Sequence, residues 1–291
     1  MFSFIKKIKE KKKNKINNLN EKIISNIDKI SKAIESKKEL NFLHSGHLGD
    51  LINSLPTIKE ISKQSKCNLF VNLEKEIDKE DAVDKHPSKK FYLSSKSYDK
   101  LIPLLKVQSY LSNVSLYKEQ PIDVNLDFFR DLPINFNVDS VRWYFHLTGI
   151  NTDLSVPYLT NIGQNDDFKN NIVIMRSLRR QNKDINFNFL EKYENVLFIG
   201  LYNEYLDLKK QISNLKFYDC KNFLEMAEII NSSKLFIGNL SFGYTIAEAL
   251  KKPRLLESFL NFPLVYPNGA EGYEFYFQTH FEKFVKKIIK S

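Results

Sequence analysis

The feature that most constrains this chain is a repeated alternation between short apolar segments and segments whose apolar residues recur at helical spacing. The run LNFLH at residues 40–44 is followed by a glycine-containing loop, after which apolar residues recur at helical intervals from Leu51 to Ile61. Such alternation is typical of parallel sheets whose strands are joined by right-handed crossover helices. The sequence therefore predicts an α/β protein.

The alternation occurs in two blocks, because it starts again after the polar, turn-rich stretch at residues 161–169. We predict strands in CNLFVNL, KFYLSS, VSLYKE and VNLDFF of the first block and in NNIVIMR, NVLFIGL, LKFYDC, KLFIGN and PRLLES of the second. Two such blocks predict two Rossmann-like domains that face each other across a cleft. We place these domains at residues 39–160 and 170–270, after a helical extension at residues 1–38 and before a C-terminal helix at residues 278–291.

The positive charge of the chain is concentrated near its start. The 291 residues carry a net charge of +9, and seven lysines lie between Lys6 and Lys15. Such an excess suits an anionic partner: a nucleic acid, an acidic lipid surface or a phosphate-rich small molecule. Because the sequence shows neither a signal peptide nor an apolar run of about 18 residues, we expect a cytoplasmic protein. Peripheral membrane contact through the lysine-rich N-terminus is the alternative.

Motifs that would identify several other classes of protein are absent from the sequence. Cys67 and Cys220 are far apart and show none of the spacings of a metal site or a disulfide framework. No GxGxxG fingerprint, P-loop, GxSxG elbow, HExxH or paired Asp-x-Asp motif occurs. These absences argue against dinucleotide-binding, P-loop and metal-dependent GT-A proteins, and we expect neither a metal nor a cofactor.

The loop after the first predicted strand, HSGHLGD at residues 44–50, lies where ligands bind in open parallel sheets. Its glycines allow a tight turn and a close approach of the backbone to a ligand. Asp50 falls in the first turn of the next helix, where its carboxylate can serve as a general base or as a helix cap. The other loop residues that we predict to contact substrate are His44, Ser45, Gly46, His47 and Gly49.

The segment LGDLINSLPTI, from Leu48 to Ile58, resembles the N-terminal signature of the heptosyltransferase-like glycosyltransferases of family 9. In that family the aspartate of the motif is the proposed base for the acceptor hydroxyl, and the resemblance assigns this role to Asp50. It also implies the two-domain GT-B architecture, with the acceptor on the first domain and a nucleotide-sugar on the second. Chains of this architecture commonly end in a helix that returns to the first domain, so we expect the amphipathic helix at residues 278–291 to pack back on that domain. His47 is a second candidate for a catalytic role, because a histidine can bind phosphate or tune a nearby carboxylate.

Two loops of the second block are candidates for donor binding. The first follows the strand NNIVIMR and contains Arg176, Ser177, Arg179 and Arg180. Guanidinium groups at a strand end can hold a diphosphate bidentately and stabilise the charge of a departing phosphate. The alternative interpretation of this cluster is a solvated basic loop.

The second loop lies in IGNLSFGYTIAEALKKP, which is similar to the nucleotide-binding segment of GT-B transferases. The candidate residues here are Asn239, Ser241, Gly243 and Glu248, and the resemblance implies that Glu248 accepts hydrogen bonds from the ribose. A surface or buried pairing role is the alternative for Glu248. Leu240 and Thr245 stand where the heptosyltransferase-like families have an aspartate and a histidine.

These observations lead to one functional expectation and two alternatives. We expect an inverting, metal-independent hexosyl- or heptosyltransferase that moves a sugar from a nucleotide-sugar to the hydroxyl of a saccharide or another acceptor. The departures at Leu240 and Thr245 leave open a non-catalytic nucleotide or nucleotide-sugar binding protein of the same fold. The net charge of +9 leaves open, without favouring it, a glycosyltransferase that acts on modified nucleic acid.

Overall fold

The computed structural model describes residues 20–77, 90–133, 138–262 and 264–290. In the first half of this described part, four strands form a parallel sheet in the order β3-β2-β1-β4. The strands are β1 (Glu39–His44), β2 (Lys66–Val71), β3 (Asn113–Leu116) and β4 (Val124–Asn125). The helices are α1 (residues 20–36), α2 (Leu48–Ile61), α3 (Ser95–Lys106), a 3-10 helix (Leu126–Asp131) and α4 (Ser140–Thr148).

The second half contains a six-stranded parallel sheet in the order β10-β9-β8-β5-β6-β7. Its strands are β5 (Ile172–Met175), β6 (Val196–Ile199), β7 (Lys216–Tyr218), β8 (Leu235–Asn239), β9 (Arg254–Glu257) and β10 (Gly272–Phe275). Its helices are α5 (Tyr202–Lys209), α6 (Phe223–Ser232), α7 (Phe242–Leu250) and α8 (Gln278–Lys290), with 3-10 helices at Asp166–Phe168 and Asn188–Lys192. The predicted α/β class with two Rossmann-like sheets is therefore confirmed.

The strand order of each sheet reverses at one point, which fixes where a ligand can bind. In the first sheet β1 lies between β2 and β4, so the loops after β1 and β4 diverge at the carboxyl ends of their strands. In the second sheet the reversal falls between β5 and β8. Such switch points are the crevices in which open α/β sheets bind ligands. The loops after β1, β4, β5 and β8 are therefore the candidate site.

The segments KFYLSS and VNLDFF depart from their predicted strand conformation. KFYLSS contributes a single bridge, from Phe91 to Glu76, and α3 begins at Ser95. VNLDFF is a shorter strand than predicted. It is a strand only at Val124 and Asn125. The Asn125 side chain then accepts a hydrogen bond from the Asp127 N–H at 3.1 Å, which starts the 3-10 helix Leu126–Asp131. This turn places Asp127 and Arg130 directly beyond β4, beside the loop that follows β1.

The predicted N-terminal extension is described in part. Residues 20–36 form α1, and Ile30 of this helix is buried in the apolar core, with Ile23, Ile27 and Ile34 packed around it. The lysine-rich segment at residues 6–15 lies outside the described residues. Where the chain is described, no helix is long and apolar enough to cross a membrane.

The C-terminal helix does not pack on the first domain, and that prediction is wrong. Phe281, Val285 and Ile288 of α8 are buried in the apolar cluster of the second sheet. The Phe281 ring stacks on Phe275 of β10, with 4.1 Å between the ring centroids. Only Tyr276 and Phe277 connect β10 to α8, so the helix returns along its own sheet. The sequence prediction failed because β10 was not recognised.

The two halves contact each other through helices. α2 of the first domain packs on α7 of the second, and α3 packs on α6. Backbone hydrogen bonds cross the same junction, from the Ser140 N–H to the Leu264 carbonyl at 2.7 Å and from the Tyr158 N–H to the Ala249 carbonyl at 3.0 Å. The α2–α7 contact brings the first turns of both helices toward one cleft.

Candidate active site

The loop after β1 is held by a buried carboxylate that the sequence analysis missed. Asp127 accepts the Ser45 N–H at 3.1 Å, the Ser45 hydroxyl, and Nη1 of Arg130 at 2.6 Å. Burial opposes ionisation, but the neighbouring His44, Arg130 and Ser45 side chains outweigh it and lower the pKa of Asp127 to about 2. The only signal in the sequence was an acidic residue at the end of a predicted strand.

His44 and Ser45 shape this loop and do not line a ligand site, which corrects their predicted role. Both residues are fully buried. His44 Nδ1 accepts the Gly46 N–H at 2.9 Å, so Nε2 carries the proton and donates to the Tyr144 hydroxyl at 2.9 Å. Burial lowers the pKa of His44 to about 4, so the ring is neutral at pH 7.

Gly46 is the one position of the loop where only glycine fits. Its φ is +100°, and an added Cβ would meet the Leu93 Cβ at 2.9 Å and the Tyr92 carbonyl oxygen at 3.0 Å. Gly46 therefore serves loop geometry, and the structure gives it no exposed surface for a ligand.

Asp50 caps α2, and its position is compatible with the other role that the sequence left open, that of a general base. It is the third residue of α2, and its Oδ2 accepts the His47 N–H at 3.3 Å, as in a capping box. The same oxygen lies 3.5 Å from Nη2 of Arg130, and 21% of the Asp50 side chain remains exposed. Burial raises the pKa of Asp50, and the Arg130 charge opposes this shift. An accessible carboxylate with a raised pKa fits a general base.

His47 lies between the two domains at the start of α2. Its ring packs edge-on against Tyr92 with centroids 5.0 Å apart. Burial lowers the pKa of His47 to about 4, and the charges of Arg130, Arg179 and Arg180 act in the same direction. Two of these arginines belong to the second domain, so the loop after β1 and the loop after β5 face the same cleft.

Gly49 marks the contact between the two helix N-termini. A Cβ added at this position would lie 3.5 Å from Oγ1 of Thr245, in α7 of the second domain. The first turns of α2 and α7 therefore meet at the cleft, and each presents backbone N–H groups that favour anions. The loops that the strand-end rule predicted to face each other therefore do so, with fewer of the predicted side chains between them.

Arg176 is an internal ion-pair partner, so its predicted contact with a diphosphate is wrong. Its Nε and Nη2 donate to the two carboxylate oxygens of Glu257 at 2.6 and 2.7 Å. The guanidinium also lies over the Phe187 ring, 4.7 Å from its centroid. The pair is buried, so Arg176 and Glu257 satisfy each other inside the second domain and hold the start of the loop after β5.

Ser177 and Asn239 fix the shape of that loop and do not bind a ligand. The fully buried Asn239 accepts the Ser177 N–H at 2.9 Å. Its amide donates to the carbonyls of Ser177 and Arg179 at 2.9 Å, and to that of Arg180 at 3.3 Å. One buried side chain thus holds the backbone of Ser177, Arg179 and Arg180, and these internal bonds correct the predicted ligand contacts of Ser177 and Asn239.

Arg179 and Arg180 are the predicted arginines that reach the cleft. Both side chains are half-buried, and burial lowers their pKa values. Nε of Arg179 has no hydrogen-bond partner among the described residues. Arg180 has a φ of +62° and lies over Phe262, 5.1 Å from the ring centroid, and its charge acts on Asp50.

Glu204 is a second functional candidate that the sequence analysis missed. It lies in the first turn of α5, just beyond β6, and its Oε1 accepts the Leu178 N–H at 3.4 Å. Its Oε2 is buried and has no hydrogen-bond partner among the residues that the structure describes. Burial raises the pKa of Glu204, while the N–H groups of Leu178 and Leu201, the Ser177 hydroxyl and the Arg179 charge oppose this shift. A buried carboxylate oxygen without a hydrogen-bond donor is energetically unfavourable, so a ligand group that donates a hydrogen bond to it would be stabilised.

Glu248 cannot receive a ribose in this structure, which corrects its predicted role in favour of the buried pairing alternative. Its carboxylate accepts Nε of Arg254 at 2.5 Å, the Lys251 ammonium and the Asn268 N–H at 3.1 Å. All of its oxygens are therefore engaged at the domain junction, away from the cleft.

Ser241 and Gly243 begin α7 in different ways. Ser241 is the half-exposed N-cap residue and stays at the cleft. Gly243 is buried, and an added Cβ would clash with the Met175 sulfur, so it lets α7 pack on the end of β5. Across the described residues, no group of three or more His, Cys, Asp and Glu side chains is arranged to hold a metal.

Comparison with known proteins shows a likeness of structure without a likeness of sequence. No protein-family model matches the chain, and no curated protein matches its sequence. A family 9 glycosyltransferase from Veillonella parvula superposes with a TM-score of 0.53 at 12% identity, covering 87% of this chain and 89% of that one. The E. coli heptosyltransferase WaaC with ADP gives 0.50 at 10% identity, covering 86% and 99%. The protein therefore has the two-domain GT-B fold found in family 9 glycosyltransferases.

Proposed function

We propose that this protein transfers a sugar from a nucleotide-sugar to an acceptor hydroxyl, with Asp50 as the general base. The observation that carries the proposal is the partly exposed Asp50 carboxylate at the start of α2, which faces Arg179 and Arg180 of the second domain. The GT-B fold places an acceptor and a donor on the two sides of such a cleft. The raised pKa of Asp50 supports the proton-accepting role.

The second domain supplies groups suited to the donor. Arg179 and Arg180 flank the switch point between β5 and β8, and the N-terminus of α7 lies beside them. Together they offer guanidinium and backbone N–H donors to a diphosphate. Glu204, with its unpartnered buried oxygen, suits a hydroxyl of the nucleoside. The solved WaaC structure contains ADP, which supports a nucleotide as the ligand of this fold.

The reaction follows from this arrangement as a single displacement. The acceptor oxygen attacks the anomeric carbon while Asp50 takes its proton, and the bond from that carbon to the diphosphate oxygen breaks. Arg179, Arg180 and the N-terminus of α7 stabilise the charge of the leaving nucleoside diphosphate, as a divalent ion does in other transferases. Attack opposite to the leaving group inverts the anomeric configuration.

Calorimetric titration with a panel of nucleotide-sugars and nucleoside diphosphates tests the donor assignment. We expect Arg179→Gln and Glu204→Gln to raise the Kd for the best ligand about tenfold or more, the scale of one charge-assisted hydrogen bond. Lys183→Gln is the matched control, because Lys183 is an exposed cation of the same loop. Equal Kd values for all three variants, or no binding by any member of the panel, would contradict the proposal.

Product analysis separates transfer from mere binding. With ligand at a hundredfold excess over Kd, binding alone stabilises the fold by about 2.7 kcal/mol, whether or not turnover follows. The proposed function requires release of the nucleoside diphosphate and a glycosylated acceptor. If nucleotide-sugars bind and are neither hydrolysed nor transferred, the protein is the non-catalytic alternative.

A further inference from the structure

Arg130 connects the proposed base to a buried anchor. Its Nη1 donates to Asp127 at 2.6 Å, its Nη2 donates to the Gly46 carbonyl, and Nη2 also lies 3.5 Å from the Asp50 carboxylate. A planar guanidinium is the side chain that can satisfy three acceptors with a fixed mutual geometry. Asp127, Arg130 and Asp50 thus form a chain from the core of the first domain to the cleft.

Two aromatic rings hold the Arg130 guanidinium in place. Its central carbon lies 4.4 Å from the centroid of Tyr92 and 4.4 Å from that of Phe129. Only 20% of the Arg130 side chain is exposed. Stacking and burial remove the rotamer freedom that an exposed arginine keeps, so the guanidinium is set in position before any ligand arrives.

We propose that Arg130 is a positioning residue for the reaction: it fixes the Asp50 carboxylate at the cleft and supplies the compensating charge, while Asp127 holds Arg130 in place. This inference rests on the proposed function, because it concerns the base of that reaction. Arg130 acts through Asp50.

The charge environment of Asp50 shows why such a partner matters. Burial raises the pKa of Asp50, and Arg130 is the strongest of the groups that oppose it. The charged and titratable groups that face Asp50 come from four segments: Arg130 after β4, His44 at the end of β1, Tyr144 of α4 and Arg180 after β5. His44 and Tyr144 are neutral at pH 7, since burial lowers the pKa of the first and raises that of the second.

The pH profile of kcat/KM for Arg130→Gln tests the proposal. Removing the cation raises the pKa of Asp50, so the acidic limb of the profile moves to higher pH by about one unit, the lower end of the effect of an arginine on a neighbouring aspartate. Activity is then partly restored as the pH rises. Lys75→Gln is the matched control, because Lys75 Nζ lies 3.5 Å from the Asp127 carboxylate as a second cation beside it. We expect this variant to leave the acidic limb of the profile at its wild-type pH.

Arg130→Lys separates position from charge. Lysine keeps the cation and loses the fork that spans Asp127 and the Gly46 carbonyl, so we expect kcat to fall about tenfold with the acidic limb near its wild-type pH. This variant also serves if Arg130→Gln fails to fold. An unmoved acidic limb in Arg130→Gln, or a wild-type kcat in Arg130→Lys, would overturn the proposal.

A direct titration distinguishes failure of this inference from failure of the proposed function. The 13Cγ chemical shift of Asp50, followed against pH in protein labelled at aspartate, reports its ionisation without any turnover. We expect the midpoint to rise by about one unit in Arg130→Gln relative to the wild type. If the wild type shows no transferase activity, the proposed function fails. If the midpoint is the same in both proteins, Arg130 is not the partner of Asp50.

Discussion

At the scale of single residues, the buried pair Arg176–Glu257 shows how the donor loop is kept rigid. Both carboxylate oxygens of Glu257 accept from Arg176, and Oε1 also accepts the Asn182 N–H at 2.6 Å. The pair therefore joins both ends of the loop that carries Arg179 and Arg180. Breaking a buried pair by removing one charge leaves the other uncompensated, which is costlier than losing the pair.

We expect Glu257→Gln to lower the free energy of unfolding by about 3 kcal/mol, because Arg176 then keeps a buried charge without its counterion. Urea denaturation measures the loss. The double variant Arg176→Met with Glu257→Leu should recover much of it, since apolar replacements of a buried pair are often neutral. A single variant as stable as the wild type would show that Arg176 is not held as an internal ion pair.

His44 makes a prediction about pH. Its pKa is about 4 in the folded protein and about 6.5 in the unfolded chain, so between these values the unfolded state binds more protons and acid destabilises the fold. When the pH falls from 7 to 5, we expect the unfolding free energy of the wild type to fall by about 2 kcal/mol more than that of His44→Gln, which lacks the titrating ring. A pH-independent difference would mean that His44 is not buried as a neutral ring.

At the scale of elements, α8 depends on the second sheet for its stability. Phe281 lies in the apolar cluster beneath β10, and Phe277, four residues earlier, is 62% exposed. These two phenylalanines make a matched pair. We expect Phe281→Ala to cost about 3–5 kcal/mol of unfolding free energy and Phe277→Ala less than about 0.5 kcal/mol. Equal costs in chemical denaturation would contradict the packing of α8.

Helices and strands could be predicted along most of the chain because the spacing of apolar residues can be read within each short segment. β10 could not, since GYEF at residues 272–275 offers two aromatic residues and no apolar run. Because this strand was not predicted, α8 was assigned to the wrong domain. The amphipathic pattern of α8 indicates that one face is buried, but it does not indicate which element covers that face. The sequence analysis thus predicted the fold class and failed at the element whose signal was weakest.

At the scale of the whole molecule, the candidate site is assembled from the segments that follow five strands of two domains: β1, β4, β5, β6 and β8. Asp50, Arg179 and Arg180 could be predicted because each lies in the loop or first helical turn that follows a strong strand, and strand ends of parallel sheets converge. Asp127, Arg130 and Glu204 could not, since their roles depend on which strands are neighbours in space. Glu248 was misassigned for the same reason: its partners Arg254 and Asn268 come from later segments that fold back on α7.

The measurement that tests the central claim most directly is the transfer rate of Asp50→Asn, with donor Kd measured on the same protein. Asparagine keeps an oxygen that can accept the His47 N–H, so the start of α2 is preserved while the proton acceptor is lost. We predict a fall in kcat of about 10²-fold or more, with donor affinity nearly unchanged. An Asp50→Asn variant that retains full transferase activity would remove this residue from the mechanism and contradict the account.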